Sequence, residues 1–222
     1  MPTQAVKDVR NFANRHRKHL GGHLHAEGNQ GVVPGARTSR DAGQDHRGGY
    51  KAPSGTNLQP GRFVVITGSG REAIAAAVRN NWDSNEGLRT MVEQGQTAAD
   101  KTQRLMLRGA KRLFTQLDLA PVFIIPCLYQ VASPTNDPNS LLAGSSIYEA
   151  VQNLLLATRA LGLGAVLTTF QAGIEPELRE LLALPDDTKP AALIPLGFPA
   201  ANFGPTTRRP VEEVLHWERW AG

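Results

Sequence analysis

The chain has 222 residues, 41% hydrophobic and 20% charged, the balance of a globular domain large enough to bury its own core. Its formal charge of +4 is unevenly placed: residues 1–51 carry +5 and residues 52–222 carry −1, so the folded part gives no footing to a nucleic-acid site. No run reaches the roughly 18 apolar residues of a membrane span, no secretory leader is visible, and one cysteine excludes an internal disulfide; a cytoplasmic protein that binds neither membrane nor nucleic acid is expected.

Residues 1–50 hold five of the six histidines and eight glycines but no isoleucine, and between Arg15 and Gly49 no helical or strand period persists. His16, His19, His23 and His25 have no companion cysteine and few nearby acids, so no metal site is expected. The segment reads either as a disordered basic tail or as a stretch translated out of frame. In the shifted frame the codons of Asp41 to Lys51 permit Thr-Leu-Ala-Lys-Ile-Ile-Glu-Ala-Ala-Thr-Lys, an amphipathic helix leading into Ala52-Pro53, and those of Ala26 to Gly31 permit Arg-Arg-x-Ile-Arg-Ala. Residues 51–222 form the expected domain.

That domain opens on Pro53-Ser-Gly-Thr-Asn-Leu-Gln-Pro60. A loop punctuated by proline and glycine and followed by a strand, Arg62–Thr67, is suited to presenting donors to an anionic ligand. Ser54 and Asn57 supply side-chain donors, and Gly55 allows close approach. Gly68-Ser69-Gly70 then turns the chain into a helix, Arg71–Arg79. The spacing of a dinucleotide-binding turn is absent there, so it reads as a simple turn.

Residues 87–118 are predicted helical, with Leu105, Leu113 and Leu117 inward, and 121–128 form a strand in which Cys127 is core. A long turn, Ser133–Ser140, leads to a helix over Ile147–Leu161. Ile147, Ala150, Val151, Leu154, Leu155, Thr158 and Leu161 make its apolar face, Ser146 with Glu149 reads as a capping box, and Gly162 as the stop. A strand at 165–169, a helix at about 175–184, a strand at 191–197 and a closing segment, 211–220, complete an α+β or α/β domain.

Five segments in order make residues 51–222 resemble the FMN-dependent nitroreductase family. They are Ala52-Pro-Ser-Gly-Thr-Asn-Leu-Gln-Pro60, Ala150-Val-Gln-Asn-Leu-Leu-Leu-Ala157, Leu161-Gly-Leu-Gly-Ala-Val-Leu-Thr-Thr169, Ala192-Leu-Ile-Pro-Leu-Gly-Phe-Pro199 and Arg208-Arg-Pro-Val-Glu-Glu-Val214. The resemblance implies a mixed sheet flanked by helices in an intertwined homodimer, with FMN at the subunit interface. It implies that Pro53, Ser54, Gly55 and Asn57 lie against the flavin from the partner subunit, and that Leu167, Thr168 and Thr169 offer backbone groups near the reactive edge of the ring. Arg208 and Arg209 match the basic pair that meets the FMN phosphate, where forked guanidinium donors suit a dianion.

The activity so implied is reduction of a small-molecule electron acceptor, a nitroaromatic or quinone, with NADH or NADPH as donor and no catalytic acid or base. Reductive dehalogenation or other flavin chemistry, such as consumption of the flavin itself, is the alternative on the same fold, with its lid in residues 84–118; a non-enzymatic remnant unable to hold FMN is another. Two departures bear on these. The family's N-terminal Arg-rich motif is replaced by His25-Ala-Glu-Gly-Asn29, and Gly61 stands where the family often has tryptophan.

Overall fold

The computed structural model describes residues 51–130, 137, 139–199 and 208–220. Segment 1–50, with its histidines, and most of the turn 133–140 lie outside the described residues. In chain order the elements are β1 (Gly61–Ile66), α1 (Ser69–Ser84), α2 (Glu86–Gly95), α3 (Lys101–Thr115), β2 (Val122–Tyr129), α4 (Leu141–Ala160), β3 (Gly164–Ala165), α5 (Glu175–Leu182), β4 (Thr188–Pro190) and β5 (Ile194–Gly197).

The fold is built around β2, a run of β-branched and apolar residues buried from Val122 to Leu128. Alternation divides its side chains between two layers. Phe123, Ile125 and Cys127 pack with Ile74, Ala75, Val78 and Trp82 of α1. Val122, Ile124 and Leu128 pack with Ala143, Ile147, Val151 and Leu155 of α4. Every strand pairing among the described residues is antiparallel: β1 lies along one side of β2, β4 and β5 along the other, and β3 beyond β5.

Between β4 and β5 the ladder slips. Cys127 faces Pro190 while Ile124 faces Ile194, so three residues, Ala191 to Leu193, stand opposite two, Ile125 and Pro126. This bulge explains how proline sits in a central strand. The Pro126 carbonyl accepts from Ala191 N–H at 2.8 Å, and a strand residue's N and O point the same way. The donor that proline lacks is therefore the one that would have faced the bulge.

Local signals set the helix ends. Asn85 accepts from Leu88 N–H at 3.0 Å and Asp100 from Gln103 N–H at 2.7 Å. The predicted helical stretch 87–118 is therefore two helices, each with its own N-cap. Leu117 is buried as expected, but Leu105 and Leu113 are only half-buried. The α3 residue that reaches the core is Phe114, stacked 4.8 Å from Trp82 and 4.1 Å from Phe170.

Helix α4 begins six residues before its predicted start. Its cap is Ser140, whose Oγ accepts from Ala143 N–H at 3.1 Å, not Ser146. The apolar face is as read: Ile147, Ala150, Val151, Leu155 and Thr158 are buried, with Leu154 and Leu161 packed at its margin. Gly162, at φ +74°, ends the helix in the left-handed conformation glycine favours. The strand expected at 165–169 reduces to β3 plus one bridge, Thr168 with Leu193. The strand expected at 191–197 forms only from Ile194, because the bulge takes its first three residues.

Candidate functional site

Loop 54–59 is held by its own hydrogen bonds. Ser54 Oγ accepts from Gln59 N–H at 2.9 Å, Ser54 O from Asn57 N–H at 3.0 Å, and Gly55 O from Leu58 N–H at 3.1 Å. Gly55 N–H reaches out of the loop to Ser146 Oγ on α4 at 3.0 Å. Four of the five N–H groups from Gly55 to Gln59 are thus already engaged. The loop is not the backbone cradle for an anion that its composition suggests. What it leaves uncommitted is side-chain chemistry: the hydroxyl proton of half-buried Ser54 and the amide nitrogen of exposed Asn57, whose Oδ1 accepts from Gln59.

The backbone is unusual as well. Thr56, Asn57 and Gln59 have φ of 47°, 57° and 51°. Asparagine tolerates this region, whereas a β-branched threonine there is an outlier that costs on the order of 1 kcal/mol or more. Arg62 secures the loop's exit: its Nη1 donates to Gln59 O and Gly61 O, both at 2.9 Å, and its guanidinium lies 5.3 Å from the Tyr129 ring centre. Tyr129 N–H donates to Pro60 O at 2.9 Å, which ties the loop's end to the central strand.

At the second predicted segment, Thr168 is buried and exchanges both backbone bonds with Leu193, at 3.1 Å each. Its hydroxyl also donates to Leu193 O at 2.7 Å. Thr168 therefore builds the bridge and has no backbone group left for a ligand. Thr169 is exposed, and its N–H has no partner among the described residues. Leu167 is half-buried against the α4 layer. Pro53, Arg208 and Arg209 are exposed. No hydrogen bond or ion pair among the described residues joins the 53–57 loop, the 167–169 strand end and the arginine pair.

Sequence reasoning missed three residues here: Ser146, Gln59 and Arg62. Ser146 carried a signal, but it was read as a helix cap when its hydroxyl is a tether. Gly61 lies close to α4. A Cβ on it would lie 3.2 Å from Ile147 Cδ1, so a side chain there requires the terminal methyl of Ile147 to give way slightly. Cys127 is inert, since burial pushes its thiol up to about 11, Arg179 opposing only in part. No cluster of metal-ligating side chains, and no helix long and apolar enough to cross a membrane, occurs among the described residues.

The nitroreductase family model matches residues 35–198, about three-quarters of the chain. This chain belongs to the nitroreductase family. The match begins sixteen residues before Lys51. A Methanothermobacter thermautotrophicus protein provisionally named NADH dehydrogenase/NAD(P)H nitroreductase is 39% identical over 46% of this chain, a stretch spanning about half (51%) of that relative. The NADH dehydrogenase of Thermus thermophilus is 28% identical over 75% of this chain and 80% of its own. Among solved structures, a provisionally assigned nitroreductase from Desulfovibrio desulfuricans in complex with FMN superposes with a TM-score of 0.53 at 27% identity, covering 87% of this chain and 92% of that one. The antiparallel sheet between helical layers is thus the nitroreductase fold.

Two kinds of donor are present, and no hydrogen bond or ion pair among the described residues joins them. Neutral side-chain donors at Ser54 and Asn57, with the Thr169 N–H, suit the carbonyls and ring nitrogens of a heteroaromatic ring. The arginine pair suits a dianionic phosphate.

Proposed function

We propose that this nitroreductase-family protein is an FMN-dependent oxidoreductase that uses NADH or NADPH to reduce nitroaromatic or quinone-like acceptors. The observation that carries the reading is loop 54–59: four of the five backbone N–H groups from Gly55 to Gln59 are already engaged within the chain, which leaves the Ser54 hydroxyl and the Asn57 amide nitrogen as its main donors. Such a loop serves a neutral polar ring better than a phosphate. Bound FMN supplies the hydride chemistry; the protein supplies orientation and hydrogen bonds.

In this reading Ser54 and Asn57 donate to the ring, with Pro53 and Gly55 against it. Thr169 N–H serves as the donor at the ring's reactive edge, where it favours the electron-rich reduced form. Leu167 and Thr168 hold that edge strand in place. Arg208 and Arg209 hold the phosphate. No hydrogen bond or ion pair among the described residues joins the loop and the strand end, an arrangement compatible with a homodimer in which each site draws on both copies. Exposed Leu141, Leu142, Tyr148 and Leu156 on α4 supply apolar area for such an interface. Residues 51–222 would form the FMN-binding domain, working in the cytoplasm; residues 1–50, an atypical basic segment, lie outside the described residues.

The test is a titration of the purified full-length chain with FMN, followed by NAD(P)H oxidation with a nitroaromatic, a quinone and a halogenated phenol. Flavin absorbance near ~450 nm retained through gel filtration, with turnover of the first two acceptors, supports the reading. A dimer that stays colourless with excess FMN would sink it, and turnover of the halogenated phenol alone would replace it with reductive dehalogenation.

A further inference from the structure

We propose that Gln59 and Ser146 are positioning residues which hold the Asn57 carboxamide with its nitrogen outward, so that the loop presents a hydrogen-bond donor at that point. The proposal rests on the FMN reading of the site. Gln59 Nε2 donates to Asn57 Oδ1 at 3.0 Å. That contact uses the acceptor end of the Asn57 amide and leaves the Nδ2 hydrogens for a ligand. The group recognised there must be an acceptor, such as a ring carbonyl oxygen.

The amide is held from both sides of a backbone that would otherwise relax. Thr56, Asn57 and Gln59 occupy the left-handed region, and the residues flanking them are pinned by distinct bonds. On one side Gly55 N–H is fixed to Ser146 Oγ, 91 residues away on α4. On the other, Gln59 N–H is fixed to Ser54 Oγ, and Gln59 O to Arg62. Ser146 thus carries the rigidity of a long packed helix into an exposed loop, and Gln59 turns that rigidity into a defined amide orientation. Preorganisation of this kind raises affinity by removing an ordering cost from binding.

The chemistry gives each variant its own signature. Gln59→Leu removes the hold on Asn57. Gln59→Glu reverses it: a carboxylate only accepts, so it takes the Asn57 Nδ2 hydrogens and turns Oδ1 outward. Ser146→Ala deletes the acceptor for Gly55 N–H, whereas Ser146→Thr retains a hydroxyl.

The experiment measures the FMN dissociation constant of the full-length apoprotein by quenching of flavin fluorescence, in wild-type and Asn57→Ala backgrounds. Gln59→Leu and Ser146→Ala should each weaken binding about fivefold, and Gln59→Glu about tenfold or more, with Ser146→Thr near wild type. In the Asn57→Ala background the Gln59 effects should shrink below about twofold, because the group they position is gone. Undiminished Gln59 effects in that background, or a Gln59→Glu protein that binds like wild type, would overturn the proposal. Should the wild-type chain bind no FMN, the FMN reading falls by itself. NMR relaxation of the Asn57 side-chain amide in the ligand-free protein then decides the positioning role: it is upheld if Gln59→Leu frees that amide, and refuted if the amide is equally mobile in both.

Discussion

The central strand β2 and the loop Ser54–Gln59 are held by opposite means. β2 is sealed on both faces, and its side chains from Val122 to Leu128 have almost no contact with water. The loop has no buried residue, and its shape rests on a handful of hydrogen bonds and a left-handed backbone. They meet at few points: Pro60 O with Tyr129 N–H, and Gly55 with a helix that itself packs on β2. Stability is thus concentrated in one place and, in the proposed reading, ligand chemistry in another. Substitutions in the two should change different observables.

The largest effect is expected in the strand. Phe123 is fully buried in the layer shared with α1, and Phe123→Ala should cost about 3–5 kcal/mol through lost burial and the cavity left behind. Urea unfolding would show it as a lower midpoint with unchanged slope. A loss under about 1 kcal/mol would mean that the layer can collapse around the gap, and that the contrast with the loop is overstated.

Next comes the boundary between the regions. Restoring the large residue common in the family, Gly61→Trp, forces a side chain into the approach between β1 and Ile147. Overpacking of this kind should cost about 1–3 kcal/mol. The thermal midpoint of the apoprotein is the readout. An unchanged midpoint would show that α4 yields, and that glycine is not required there by packing.

The strand side of this contrast was legible in sequence because burial leaves a periodic trace. The apolar face from Ile147 to Leu161, the run around Cys127 and the Gly162 stop all carry patterns that two-layer packing enforces. The loop's motif was legible too, but its geometry was not. A Ser146 hydroxyl three residues ahead of Glu149 looks the same whether it caps a helix or tethers a distant loop, and only the earlier cap at Ser140 separates the two. Leu105 and Leu113 misled for a related reason: α3 is a separate helix with its own cap, packed on α2 through the Lys111–Glu93 pair, and its face toward the core runs through Phe114. The bulge at Ala191–Leu193 hid because its residues are as apolar as those of the strand on either side.

A smaller effect should separate the two regions by pH. Glu175 is only 21% exposed. Burial alone would raise its carboxyl, but the hydrogen bonds and charges of Lys189 and Arg179 outweigh this and hold it below the ordinary value. Arg179 also donates to Thr188 O at 2.7 Å, so the cluster ties α5 to β4. A carboxyl lowered on folding contributes stability above its unfolded value, and that stability is lost as pH falls through the folded one. Glu175→Gln should therefore be less stable than wild type by up to about 1 kcal/mol near neutral pH, with the gap closing in acid. Parallel stability curves from neutral pH into acid would rule the cluster out. Because the cluster borders the β2 core, FMN affinity should not change with it.

The smallest effect belongs to the loop and tests whether its strain matters. Thr56 sits at φ 47°, where glycine would rest without penalty. Thr56→Gly relieves the left-handed strain but adds freedom to the unfolded chain and to the loop itself. These oppose each other, so the change in stability should stay within about 1 kcal/mol. Affinity is the more informative readout. A glycine beside Asn57 lets the carboxamide wander, and FMN binding should weaken a few-fold even where the thermal midpoint holds or rises. Tighter FMN binding by Thr56→Gly would show that the ligand-bound loop wants a different backbone from the one seen here. The left-handed run would then be a resting shape the ligand must undo rather than a preformed receptor for it.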